Sequence, residues 1–267
     1  MKLRAVFFFF LVAMSLGGGL SRGELVEYEK GEKLKVNPGA LHPTQFLYSR
    51  LEVESKFKAL QKLMTEEGEE AVIDFLKEHR GQVVVGPKNQ MWLVDGHHHA
   101  RALEMLKKSD SRFKGISFYA RVLHEWNELT SKEFEKAMKL GNKHGDEDSA
   151  PLVYLKDQNG RIKSFSQLPR KLSSMKDWPY RSLVWLLKEE GFIDEVESVP
   201  FQEFIVAEYL KDHIKLPSKM TQAAYRKALK EAIDVIQDAD EDSFPGRKKI
   251  TSSRCGKILK NLNPIEL

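Results

Sequence analysis

The stretch "MWLVDGHHHARALEML", residues 91–106, decides the reading of this chain. Met91 to Val94 has the composition of a short strand, Asp95-Gly96 interrupts it, and Ala100, Leu103, Leu106 and Lys107 then follow an amphipathic helix spacing. Three consecutive histidines, His97, His98 and His99, therefore fall at a strand-to-helix junction. A helix starting there aims its unpaired N–H groups and its positive dipole end at whatever lies above it. Gly96 lets backbone approach an anion closely, and Asp95 at the N-cap position is expected to accept from N–H groups of the first turn. Imidazoles add donors and, near neutral pH, an acid or a base. The junction thus suits binding a phosphoryl oxygen and moving a proton beside it, with His97 and His98 as the candidate proton movers. Successive helical residues diverge by about 100°, so at most two of the three face one cleft. A zinc site would have to recruit His42, His124 or His144 from elsewhere. The plainer alternative, Asp95 as a cap and the histidines as a polar first turn, stays open.

Outward from the junction the pattern is mixed. Leu34 and Val36 alternate as a strand that breaks at Asn37-Pro38-Gly39. Residues 51–79 have helix spacing interrupted at Gly68, which predicts two helices; residues 82–94 predict a hairpin, and 116–123 another strand. Thr130 or Ser131 begins a helix, 141–151 is a loop, and Asn159-Gly160 signals a hairpin near 152–163. From about residue 170 the chain reads as mainly helical to Asn261, with Phe201, Phe204, Ala207 and Leu210 on one face. The fold class is α+β: a mixed domain over 24–125 and a helix-rich extension over 126–267.

Composition sets outer limits. The 267 residues are 41% hydrophobic and 31% charged, the balance of a globular protein with a sizeable core. Lys2 and Arg4 precede the apolar run Ala5 to Leu16, with small residues Ser21 and Gly23 at a cleavage-like site, so residues 1–23 read as a secretory signal and the expected location is secreted or periplasmic. Twelve residues fall short of the roughly 20 that span a bilayer, so no membrane anchor is expected after cleavage. Loss of Lys2, Arg4 and Arg22 takes the net charge from +4 to +1, which gives no argument from charge for a nucleic-acid partner. Basic residues cluster in 246–260, either a polyanion patch or a solvated tail. Cys255 is the only cysteine, which excludes an intramolecular disulfide and a Cys-rich zinc site.

The order "LHPTQ", helices, "VVVGPKNQMWLVDGHHHARAL", then "GRIKSFSQLPRKL", "DWPYRSLVWLLKEEGF" and "FQEFIVAEYL" resembles the ParB/sulfiredoxin superfold, and within it the ParB-like nuclease family, over about residues 34–210. The resemblance implies that the glycine-led box binds phosphate, placing that role on Gly96, His97, His98 and His99. Sulfiredoxin carries its reactive Cys directly after this glycine, where this chain has His97, so sulfinic-acid reduction is not implied. True ParB proteins place a Glu and arginines in the box and switch on CTP; here His98 and His99 stand there, with Arg101 the only nearby arginine. Free-serine kinases of the superfold share the opening Asp95-Gly96-His97 and then depart from it.

"LHPTQ" is expected to face the same cleft, with His42, Thr44 and Gln45 as ligand contacts or, equally, as groups satisfying the turn. In "DWPYRSL", Pro179 after Asp177 is good helix-start chemistry, Trp178, Tyr180, Leu183 and Trp185 read as packing, and Arg181 is either a phosphate clamp or a structural ion-pair partner. The leading expectation is an exported protein that binds a phosphate-bearing ligand, with nucleic acid among the candidates, and hydrolyses a phosphodiester. A divalent metal is compatible with that chemistry, although no dedicated metal ligands stand out. Its rivals are a non-catalytic binding protein on the same fold and a nucleotide-dependent phosphotransferase.

Overall fold

The computed structural model describes residues 27–143, 149–196, 198–239 and Gly246. The expected signal segment 1–23, His144, Cys255 and, apart from Gly246, the basic stretch 246–260 lie outside the described residues.

The sheet is built from the alternating and β-branched stretches. Strand β1 (Lys33–Val36) pairs antiparallel with β6 (Phe118–Glu125), setting Val36 opposite Phe118. Strands β4 (Gly81–Gly86) and β5 (Gln90–Asp95) form the expected hairpin, turning through Lys88 and Asn89 at φ 60° and 57°. The two-residue β2 (His42–Pro43) adds parallel to β5, and β4 runs parallel to β6, giving the order β1-β6-β4-β5-β2. Strand β6 starts two residues later than its apolar pattern predicts, because the Ile116 N–H closes a turn on the Phe113 carbonyl.

A helical layer packs on one face of this sheet, through Val83 and Val85. Helix α1 (Arg50–Glu66) is capped by the Ser49 side chain, which accepts from the Glu52 N–H. Gly68, at φ 89°, separates it from α2 (Glu69–Glu78). Helix α3 (His97–Ser109) follows β5, and its Ala100, Leu103 and Leu106 are buried with Val53 and Leu60 of α1 and with Phe118 of the sheet.

Beyond the sheet, α4 (Ser131–Leu140) opens with a complete capping box between Thr130 and Glu133. Around Asn159-Gly160 the chain turns on the Asp157 carboxylate, which accepts the Asn159 and Arg161 N–H groups, and the flanks meet in a single antiparallel bridge, Lys156 to Ile162. Strand β7 (Lys176–Asp177) pairs parallel with β3 (Leu47–Tyr48). Then come α5 (Pro179–Glu189), α6 (Gln202–His213) and α7 (Gln222–Asp238). Pro179 occupies the first turn of α5 as expected, but its N-cap is Trp178; the Asp177 carboxylate instead accepts the Arg50 N–H at 3.1 Å, tying α1 to β7. Core residues cross between the halves. Leu47 and Leu51 are buried among the residues of α5, α6 and α7, while Leu172 and Met175 belong to the core under the sheet. Among the described residues no helix is long and apolar enough to cross a membrane.

Candidate functional site

The β5–α3 junction opens into a cleft of about 520 Å³ whose other walls come from α1, α5 and the start of α6. Gly96 is the N-cap of α3, in the left-handed region at φ 85°, and no side chain caps the helix. A Cβ at Gly96 would stand 2.9 Å from the Gly81 Cα and 3.3 Å from the Phe118 ring, so glycine is required by both conformation and packing. Asp95, expected to hold first-turn N–H groups, accepts only from the Gly96 N–H, at 2.7 Å. The first N–H groups of α3 are left for whatever enters the cleft.

The three histidines diverge as helix geometry requires. His97 is buried, and its Nε2 accepts the Thr44 N–H at 3.3 Å, which puts its proton on Nδ1. His98 Nε2 accepts the Ser49 N–H at 3.1 Å, and its Nδ1 lies 3.2 Å from Glu52 Oε2. His99 turns the other way, edge-on to Phe75 at 5.7 Å and 5.6 Å from His79, whose own ring stacks on Phe75. Burial holds all three imidazoles at about 3, with further lowering of His97 by His98, of His98 by Arg181 and of His99 by Lys56. They are neutral at neutral pH.

Ser49, His98 and Glu52 have the residue types of a nucleophilic triad. Their geometry is different. The Ser49 amide, not its hydroxyl, meets His98 Nε2, and Ser49 Oγ is fully buried, 3.3 Å from Ser182 Oγ.

Arg181 is the unusual group in the cleft. It projects from α5 and is 1% exposed, with its guanidinium carbon 4.8 Å from the centre of the Phe204 ring. Nη2 donates to Glu203 Oε2, but Nε and Nη1 have no hydrogen-bond acceptor. Buried donors left unpaired cost about 1–3 kcal/mol each. Glu203 also accepts from Lys188 at 2.7 Å. Burial alone would raise the Glu203 carboxyl, but Arg181 and Lys188 override it and hold the group at about 2. Glu52, by contrast, is pushed up by burial and by the neighbouring Glu203. Two carboxyls a few side chains apart are thus shifted in opposite directions.

Of the residues expected from sequence, the cleft brings together Gln45, Asp95, Gly96, His97, His98, His99 and Arg181. Arg181 is an ion-pair partner of Glu203 and also lines the cleft. His42 stacks on Trp92 at 4.9 Å, Thr44 spends Oγ1 on the Leu93 carbonyl, and Arg101 pairs with Glu104 at 2.7 Å; none of the three lines the cleft. Gln45 lines it while donating to the Leu47 carbonyl. His124 stacks on Trp126 at 4.4 Å, and no three His, Cys, Asp or Glu side chains gather as metal ligands among the described residues. Sequence reasoning missed Glu52, Lys56, Lys188 and Glu203. Glu52 and Lys56 look like an ordinary i,i+4 surface pair, and Lys188 meets Glu203 only through the packing of α5 on α6.

Residues 34–212 match the model of the family described as "Putative ParB-like nuclease", and the chain belongs to that family. A crystal structure of the protein Atu1540 from Agrobacterium tumefaciens superimposes with a TM-score of 0.66 at 24% identity, covering 84% of this chain and 100% of that one. That likeness carries the fold. A search of curated proteins by sequence returns no match.

Proposed function

We propose that the cleft binds a phosphate-bearing ligand, its anionic oxygens received by Arg181 and by the free N–H groups at the start of α3. The observation that carries this is the Arg181 guanidinium, almost wholly buried yet with Nε and Nη1 unpaired beside an uncapped helix N-terminus. The family description makes a nucleic-acid phosphodiester the ligand class to try first, with hydrolysis as the reaction. The reading of residues 1–23 as an export signal agrees with a reaction that needs water rather than a nucleotide.

A second reading, ligand binding without turnover, is favoured by one observation. His97 and His98, the proton movers expected from sequence, both spend Nε2 on backbone amides. In either reading their role is to hold the 44–49 segment against α3.

Calorimetric titration with inorganic phosphate, a short single-stranded DNA and ATP, joined to an assay of DNA cleavage, tests the proposal. Phosphate and DNA should bind the wild-type chain, and Arg181→Met should weaken both at least about tenfold, the loss of one charged hydrogen-bonding group. Binding unaffected by Arg181→Met sinks the site. Binding without cleavage selects the second reading, and saturable ATP binding far tighter than phosphate points to a phosphotransferase.

A further inference from the structure

Glu52 is the group in the cleft whose surroundings do not account for its charge. Glu203 has a cation on each oxygen, and Asp95 accepts the Gly96 amide. Glu52 Oε1 has only Lys56 Nζ, at 3.4 Å. Its Oε2 is buried and accepts no hydrogen bond, although His98 Nδ1 lies 3.2 Å away. The charged and titratable groups around it are Lys56 on its own helix, neutral His98 on α3, Arg181 and Lys188 on α5, and Glu203 on α6, with Asp95, Glu195, His79, Arg80 and His99 elsewhere on the cleft wall.

An ionised carboxylate lining a phosphate site sets acceptor against acceptor and like charge against like charge. One proton reverses both effects: the same carboxyl becomes a donor, and Lys56, Arg181 and Lys188 are then opposed by one carboxylate fewer, with Glu203, Asp95 and Glu195 remaining. We infer that Glu52 enters the anion complex as the neutral carboxylic acid, donating a hydrogen bond from its carboxyl group to an oxygen of the bound ligand, so that the cleft takes up a proton with its anion. The inference rests on the phosphate-binding reading above. Burial and Glu203 already push the Glu52 carboxyl upward in the free protein, the direction required.

The test is titration of the full chain with sulfate, whose own charge is constant over the range, from about pH 5 to about pH 9. Each titration is run in two buffers of different ionisation heat, so that protons taken up are counted directly. The wild-type affinity should fall as pH rises past the Glu52 pKa, at most about tenfold per pH unit for one linked proton, with uptake of up to one proton per sulfate. Glu52→Gln should bind sulfate with no pH dependence below the lysine range and with no proton uptake, and more tightly than wild type at the alkaline end. Asp95→Asn should keep the wild-type dependence. A wild-type affinity independent of pH, or a dependence that survives Glu52→Gln, overturns the inference and leaves the anion site standing. Failure of sulfate to bind at any pH removes the site and the inference together. The proton count in wild type needs no variant, so the test does not depend on how Glu52→Gln folds.

Discussion

His97 is worth more to this molecule as a neutral acceptor than as a titrating base. Its Nε2 receives the Thr44 amide in a buried setting, and protonation would remove that acceptor and leave a charge in the core. The folded-state value near 3 lies below the ordinary 6.5, so the stabilisation is complete above pH 6.5 and is lost as pH falls from there toward 3. By pH 5 the loss from His97 alone should reach about 2 kcal/mol, with the same sign for His98 and His99, and denaturant unfolding at the two pH values would measure it. Equal stability at both would mean that the rings are not buried as described. Gly96 poses the other residue-scale test. Gly96→Ala meets both the left-handed backbone and the Gly81 Cα, and should cost about 2 kcal/mol or more in the same assay. A substitution here reports on folding before it reports on ligand binding.

At the scale of the element, two helix starts with similar chemistry should respond differently. Ser49 caps α1, and its amide is the donor to His98, so the first turn of α1 carries Glu52 into the cleft from a position pinned at both ends. Thr130 caps α4 with a complete capping box, and neither Thr130 nor Glu133 lines the cleft. Ser49→Ala and Thr130→Ala should each cost about 1 kcal/mol of stability. Only Ser49→Ala should also weaken sulfate or phosphate binding; equal binding by both variants would show that the α1 cap does not position the site. Phe201, the N-cap of α6, holds φ 55°, a left-handed conformation rare for a bulky residue, directly before the turn that carries Glu203. The site is therefore assembled from helix ends rather than from any one loop.

The whole molecule couples its two halves through α1. Val53 is buried under the sheet, whereas Leu51, two residues earlier, is buried against α5, α6 and α7. Leu51→Ala should cost about 2–5 kcal/mol, and because one helix serves both cores the chain should still unfold in a single transition. Separate transitions monitored by Trp92 and by Trp178, one from each half, would show that the halves melt independently. That coupling also matters for the cleft. Its basic wall comes from α5 and its helix N-terminus from α3, so the proposed anion site is complete only when both cores are formed.

The local patterns alone determined much of the fold. The break at Gly68, the hairpin around "GPKNQ", the capping at Thr130 and the helix beginning at the triple histidine are short-range events governed by backbone conformation and hydrophobic period. Gly96 and Arg181 were legible as candidate site residues because their motifs are compact. What the imidazoles do was not legible: a histidine reads the same whether its nitrogens face water or a backbone amide some fifty residues away. The partners of Arg181 and the isolation of Glu52 were likewise beyond a one-dimensional reading, because both depend on which helix faces end up together. Burial sets protonation, and only the packed chain decides what is buried.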